Sequence, residues 1–209
     1  MERSLLYVRR GTVSSNQRGN MQTEITKKLF TVDDYYRMAE VGILGPEDRV
    51  ELIEGEIIQM SPINQRHVSC VDRANDLFVS AFKGRAIVSI QNPLRLNNYN
   101  EPMPDIVVLK PRPDYYASES HTPKDALLVV EVSDTTLRFD RNIKLPLYAA
   151  TGVSELWIEN LQENVLLVCR NAAGKDHETK LTLQRGDTVS LLAFPDITFK
   201  VEELLGLAN

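Results

Sequence analysis

Asp105 and Glu131 are the two acidic residues whose neighbours best suit them to act together. Glu131 stands in Leu127-Leu128-Val129-Val130-Glu131-Val132-Ser133, where every other residue up to Val132 is apolar. Such a run reads as a strand covered on both faces. A charge inside it is costly unless it is paired or coordinates a metal. Asp105 opens Asp105-Ile106-Val107-Val108-Leu109, directly after Pro104. Proline tolerates the start of a strand but not its centre, so Asp105 belongs at a strand mouth. If the two strands pair, the two carboxylates meet at one end of a sheet. Carboxylates that close repel and raise a pKa. A hard divalent cation such as Mg²⁺ prefers oxygen ligands and removes the repulsion. It also polarises a phosphodiester and generates hydroxide. An ion pair with Lys144 or Arg141 would satisfy Glu131 without any chemistry, and the residues alone leave both readings open.

The next chemistry-bearing stretch is Asp140-Arg141-Asn142-Ile143-Lys144-Leu145-Pro146-Leu147-Tyr148. Helical spacing puts Arg141, Lys144 and Tyr148 on one face. Lys144 also stands i,i+4 from Asp140, where a solvated pair is worth only tenths of a kcal/mol. Pro146 lacks an amide hydrogen and kinks or restarts the helix. Arg138 and Arg141 flank this stretch and suit either phosphate neutralisation or a solvated face. His67 shares a helix face with Val71, Ala74 and Phe78, as a satisfied core histidine or as a site residue would. The acids from Glu47 to Glu56 form either a solvated hairpin or part of a ligand set. Tyr148 and Trp157 read as packing residues, and His121 and His177 as bystanders in a loop and a turn.

These residues need elements to hold them. Thr31 caps a helix running to about Val41, with Asp33 and Asp34 in its first turn. Short strands follow at Val50-Ile53 and Glu56-Met60, joined by a hairpin at Glu54-Gly55. Ser61-Pro62 signals a helix start, and the helix reaches about Phe82 with Val71, Ala74, Phe78 and Phe82 at helical spacing. Further strands are expected at Ala86-Ile90, near Leu94-Leu96, at Asp105-Leu109 and at Leu127-Val132. A polar loop over Lys110 to Asp125 precedes the last of these. A second long helix covers about Thr135 to Ala150 and ends at Gly152. Strands at Glu155-Glu159, Asn164-Arg170 and Glu178-Leu183 follow, with turns at Asn171-Gly174 and Arg185-Asp187. A short helix at Val201-Leu205 closes the chain. Strands with helices on both sides make an α/β domain around a central mixed β-sheet flanked by helices.

The 209 residues fit one domain with a substantial core. The leader over residues 1–28 is polar and reads as disordered, leaving 29–209 as the folded unit. A net charge of -5 argues against a broad basic surface for non-specific nucleic-acid binding, though not against a local basic groove. Cys70 and Cys169 are far apart among apolar neighbours and make no metal-ligand cluster. They read as reduced thiols in a cytoplasmic protein. No apolar stretch approaches the roughly 18 residues of a membrane span.

The ordered set Glu131-Val132-Ser133, then Arg138 through Ala149, then Gly152-Val153-Ser154-Glu155-Leu156-Trp157, resembles the Uma-type endonuclease family. That family lies in the PD-(D/E)xK restriction-endonuclease-like superfamily. Val50 to Glu56, Ser61-Pro62 with His67, and Pro104-Asp105 add to the resemblance, which spans roughly Phe30 to Leu205. It implies a restriction-endonuclease-like core and metal-dependent hydrolysis of phosphodiester bonds, with DNA as the expected partner. Asp105 and Glu131 would bind Mg²⁺ or Mn²⁺. Many such nucleases carry a lysine two residues after the glutamate, where Ser133 stands here, and Lys144 would replace it. A further acid from the earlier region, Glu51 or Glu56 in preference to Glu54, would join them, and His67 would assist. Double-strand cutters commonly act as two-fold dimers, so a homodimer is expected, with the strands Asn164-Arg170 and Glu178-Leu183 as edges for pairing. The missing lysine at Ser133 and the acidic balance point the other way, to a catalytically degenerate nuclease fold that binds a protein or nucleic-acid partner.

Overall fold

Thr31, a β-conformation cap, opens the first helix of the computed structural model, which describes residues 26–206. Its hydroxyl accepts from the Asp34 amide, and the Asp34 carboxylate accepts from Thr31 N in return. This capping box starts α1 (Val32–Glu40). Strands β1 (Val50–Ile53) and β2 (Glu56–Gln59) then form a hairpin. Its two turn residues, Glu54 and Gly55, both adopt positive φ (51° and 75°), the conformation a two-residue hairpin of primed type demands. Most of the expected leader lies outside the described residues.

Helix α2 (Gln65–Ala81) begins later than Ser61-Pro62 suggests. Asn64 is the cap, its side chain accepting from the His67 amide at 3.0 Å. Met60 to Asn64 therefore remain irregular. After α2 come β3 (Ile87–Ile90), β4 (Ile106–Leu109) and β5 (Ala126–Ser133). No strand forms at 94–96; that segment is held by turn-type bonds such as Leu96 N to Asn100 O.

The expected single helix over 135–150 is three pieces. A short α3 (Leu137–Phe139) leads into a π-helical turn, Asp140–Lys144, and then α4 (Leu145–Ala150). Leu145 N donates to Asp140 O, five residues back. Pro146, which has no amide to give, sits in the first turn of α4, where its missing donor is harmless. The wider turn rotates Arg141 out to solvent, so it does not share a buried face with Lys144 and Tyr148. π-bulges of this kind are frequent at functional sites.

The chain continues with β6 (Glu155–Asn160), β7 (Val165–Ala173), β8 (Asp176–Leu183), β9 (Thr188–Leu191), β10 (Phe194–Lys200) and α5 (Val201–Leu205). β7 runs through the expected turn at Asn171-Ala173, and His177 is a buried β8 residue whose Nε2 donates to Val153 O at 3.0 Å, not a turn residue. The β9–β10 pair has no counterpart in the sequence reading.

The central sheet has six strands in the order β3-β4-β5-β6-β7-β8. Only β5 and β6 run parallel. A parallel pair requires a crossover, and the π turn with its flanking helices supplies it. One face packs α2 and α5 through Phe78, Phe82, Trp157 and Phe199; the other packs α4 through Leu145 and Tyr148 onto Val129 and Ile158. Truncating a ring such as Phe78, fully buried, costs about 3–5 kcal/mol. Of the two strands expected to offer edges, β7 is interior and only β8 lies at the border. Among the described residues no helix is long and apolar enough to cross a membrane.

Candidate active site

The register of β4 against β5 pairs Ile106 with Val130 antiparallel, which brings the residue before β4 level with Glu131. Asp105 Oδ2 accepts from the Val132 amide at 2.8 Å. The aspartate thus ends the β4–β5 ladder with its side chain instead of its backbone. His67, one turn into α2, holds the same carboxylate, with Nε2 at 3.2 Å. Its Nδ1 is buried without a hydrogen-bond partner. The Asp105 carboxylate raises the His67 pKa against the lowering effect of burial and of Arg49.

Glu131 points to the opposite face from Val130, toward α4. Lys144 Nζ stands 3.2 Å from Glu131 Oε1 and 3.1 Å from Glu51 Oε2. Tyr148 donates its hydroxyl to the same Glu131 oxygen at 2.6 Å, so Tyr148 is a hydrogen-bond partner as well as a packing residue. Glu51 Oε2 also accepts from Met103 N at 3.2 Å. All three ionic groups are 4% exposed. Burial pushes the Glu131 carboxyl well up; Lys144 opposes this, while Asp140, Asp105 and Glu51 reinforce it. Burial alone would lower the Lys144 pKa, but Glu131 and Glu51 outweigh it and raise it. Both neighbours thus favour the charged form of Lys144.

Ser133 occupies the position of the missing lysine, and its environment explains the vacancy. It is fully buried and donates to Asp140 Oδ2 at 2.6 Å, where Thr136 also donates at 2.7 Å. Asp140 is the first residue of the π turn, so Ser133 anchors the segment that delivers Lys144. Asp140 is thereby occupied and does not ion-pair with Lys144 among the described residues.

Five of the six residues singled out in the sequence, Asp105, Glu131, Lys144, Glu51 and His67, line one cavity of about 370 Å³. Glu56 does not. It sits on β2, 44% exposed in its side chain, paired with Lys27 at 2.7 Å. The hairpin register separates the two acids along the strands: Glu56 pairs with Ile53 beside the turn, whereas Glu51 pairs with Ile58. Arg138 lines the cavity and Arg141 does not. Arg49 and Asp134 also line it and went unread in the sequence.

Behind His67, one turn along α2, the Cys70 thiol donates to Glu159 Oε2 at 2.6 Å. Cys70 is therefore not surrounded by apolar groups alone. Glu159 is fully buried, and burial raises its carboxyl to about 7. The signal was available: Glu155-Leu156-Trp157-Ile158-Glu159 is an apolar run with charges in it, like that around Glu131.

Asp105 and Glu131 both open on the cavity, and burial, reinforced by neighbouring acids, raises the Glu131 carboxyl; an oxygen-ligand pair of this kind fits a hard divalent cation, which would favour its charged form. Among the described residues no group of three or more His, Cys, Asp or Glu side chains is arranged to hold a metal. Mg²⁺ asks for less, since it keeps several waters and takes one or two carboxylates.

A mixed sheet with a buried acid–lysine cluster at the mouth of its parallel pair defines a restriction-endonuclease-like protein. A family model described as Uma2, putative restriction endonuclease, matches residues 32–202. The chain belongs to that family. The fold is similar to the crystal structure of a putative nuclease belonging to DUF820 from Anabaena variabilis ATCC 29413, with a TM-score of 0.66 and 16% identity over 84% of this chain and 97% of that one. No curated protein matches the chain.

Proposed function

We propose that this protein is a divalent-metal-dependent endonuclease that hydrolyses phosphodiester bonds in DNA. The observation that carries the reading is Lys144, held between Glu51 and Glu131 and lining the same cavity as Asp105. Asp105 and Glu131 would hold Mg²⁺ or Mn²⁺. When bound, the cation polarises the phosphodiester and lowers the pKa of a water. The protein's own groups do the rest. Lys144, whose pKa Glu131 and Glu51 raise, attracts the phosphate and stabilises charge that develops at phosphorus. Glu51 pairs with that lysine, and Tyr148 holds its other partner, Glu131. His67 orients Asp105 and is positioned to pass a proton.

The test is cleavage of labelled DNA, single-stranded and duplex, with Mg²⁺ or Mn²⁺. Activity should require the metal, stop with chelator, and fall by at least about a hundredfold in Lys144→Ala and Glu131→Gln, the scale of one lost transition-state contact. Metal-independent activity, or unchanged activity in either variant, sinks the reading.

One observation favours a second reading. Lys144 already neutralises Glu131 and Glu51 without a metal, as a catalytically degenerate binding module would require. Calorimetry with Mn²⁺ separates the two: a saturable heat lost in Asp105→Ala supports the enzyme, and no heat supports the module.

A further inference from the structure

The candidate catalytic groups lie deep. Glu131 and Lys144 are each 4% exposed and Asp105 9%, and they are reached only through the cavity. Its lining includes groups that the phosphodiester chemistry does not use. The irregular segment Met60 to Asn64 contributes Met60, Pro62 and Ile63, and α3 contributes Phe139. Ile63 is 41% exposed although it is a large apolar side chain at a polar site. Two arginines, Arg49 and Arg138, complete the lining. Neither has a carboxylate within ion-pair distance among the described residues, whereas the other two cations of the cavity, His67 and Lys144, are both paired. Arg49 comes off a fixed backbone, since its carbonyl accepts from Met60 N and Gln59 Nε2, both at 2.8 Å.

We infer that the cavity takes an unpaired DNA strand, seating one nucleotide with its base against Ile63 and Phe139 and the neighbouring phosphates on Arg49 and Arg138. A duplex carries its phosphates on the outside of a stiff rod, with a persistence length of about 50 nm. It cannot lower one phosphate to the floor of a concave site without being distorted. A single strand can, and proteins that bind single strands combine cationic tracks for the backbone with apolar or aromatic platforms for the bases. Enzymes with enclosed nucleotide pockets act on single strands or extruded nucleotides for the same reason. A volume of about 370 Å³ falls within the range of pockets that enclose a small organic group. The late start of α2 supplies this lining: with the helix capped at Asn64 rather than at Ser61, the preceding residues stay irregular and line the cavity.

The inference rests on the nuclease reading, and the experiment separates the two. The same labelled strand is offered alone and annealed to its complement, with Mn²⁺, to wild type, Ile63→Ala and Arg138→Ala. The single strand should be cut at least about tenfold faster than the duplex, the lower part of the range that one stacked base supplies. Ile63→Ala should raise KM for the single strand with kcat unchanged and bring the ratio toward one. Arg138→Ala should weaken binding of both forms and reduce its salt dependence. A duplex cut as fast as the single strand, or a ratio untouched by Ile63→Ala, overturns the inference. If neither form is cut, the nuclease reading fails. Metal-free fluorescence anisotropy then decides the cavity's role: tighter binding of the single strand, lost in Ile63→Ala, upholds it, and equal or absent binding overturns it.

Discussion

Replacing Lys144 with methionine removes the charge while keeping an unbranched chain of similar bulk, and its cost can be worked from the geometry. Lys144 Nζ lies 3.1 Å from Glu51 and 3.2 Å from Glu131. At an effective dielectric of about 20, each contact is worth roughly 5 kcal/mol of Coulomb attraction. Desolvation of three buried ions offsets most of that, and losing one partner of such a cluster costs about 3–5 kcal/mol net. The chain's size converts this to a drop in Tm of roughly 6–20 °C. Trp157, the only tryptophan and fully buried, reports unfolding by fluorescence in urea. The deficit should depend on pH. Without Lys144, burial and the nearby acids all act to raise the Glu131 pKa. A raised carboxyl pKa gives stability that is present below the unfolded value and lost as pH rises through the folded one. The variant should therefore lie nearest to wild type in acid and fall furthest behind at neutral and alkaline pH. Wild type keeps its Lys144 contribution throughout, because that raised pKa is passed only at strongly alkaline pH. A deficit under about 1 kcal/mol at neutral pH, the size of an exposed pair, or one independent of pH, refutes the reasoning.

Glu159 gives a second handle on pH, of the same sign. Its carboxyl, raised to about 7 by burial, contributes stability that fades as pH rises through that value; Glu159→Gln should abolish up to about 3 kcal/mol of this slope in urea titrations, and an unchanged slope would assign it to other groups. Asn64→Ala should lose about 1 kcal/mol from the α2 cap and should also reduce DNA cleavage, because His67 sits on that first turn; full activity at reduced stability would separate the cap from the site. Cys70 and Cys169 are 2% and 3% exposed, with burial raising both thiol pKa values. Neither should react with a thiol reagent in the native protein, and both should react in urea. Fast native labelling of Cys70 would contradict its bond to Glu159.

Local signals carried much of the frame. The Thr31 cap, the Glu54-Gly55 turn and the periodicity of Val71, Ala74 and Phe78 are short-range effects that a few neighbouring residues decide. The elements that went astray depend on contacts outside the segment. Ser61-Pro62 is a sound start signal, yet Asn64 caps α2 while its side chain also donates to Asp134 on the far side of the cavity. Leu94-Leu96 has strand-like residues, but its amides are taken by Pro102 O, His121 O and Asn100 O in irregular segments. The 135–150 segment has the composition of one helix, and its π turn follows from Ser133 and Thr136 anchoring Asp140.

The buried-acid criterion shows the same division. It selects Glu131 and, applied evenly, Glu155 and Glu159. Glu155 is 1% exposed and bonded to Arg170, Trp157 and the Leu192 amide, a structural role on the same sheet. The sequence by itself determined that Asp105 and Glu131 sit on strands, that Lys144 follows on a helix, and that their order is that of a restriction-endonuclease-like chain. All of that is local residue chemistry and linear order. Only the tertiary structure decided which charges meet, because that depends on the antiparallel register of β4 on β5 and on the extra residue in the π turn. Those two features put Lys144 against Glu131 and Glu51 and turned Arg141 to solvent, while the β1–β2 hairpin left Glu56 outside.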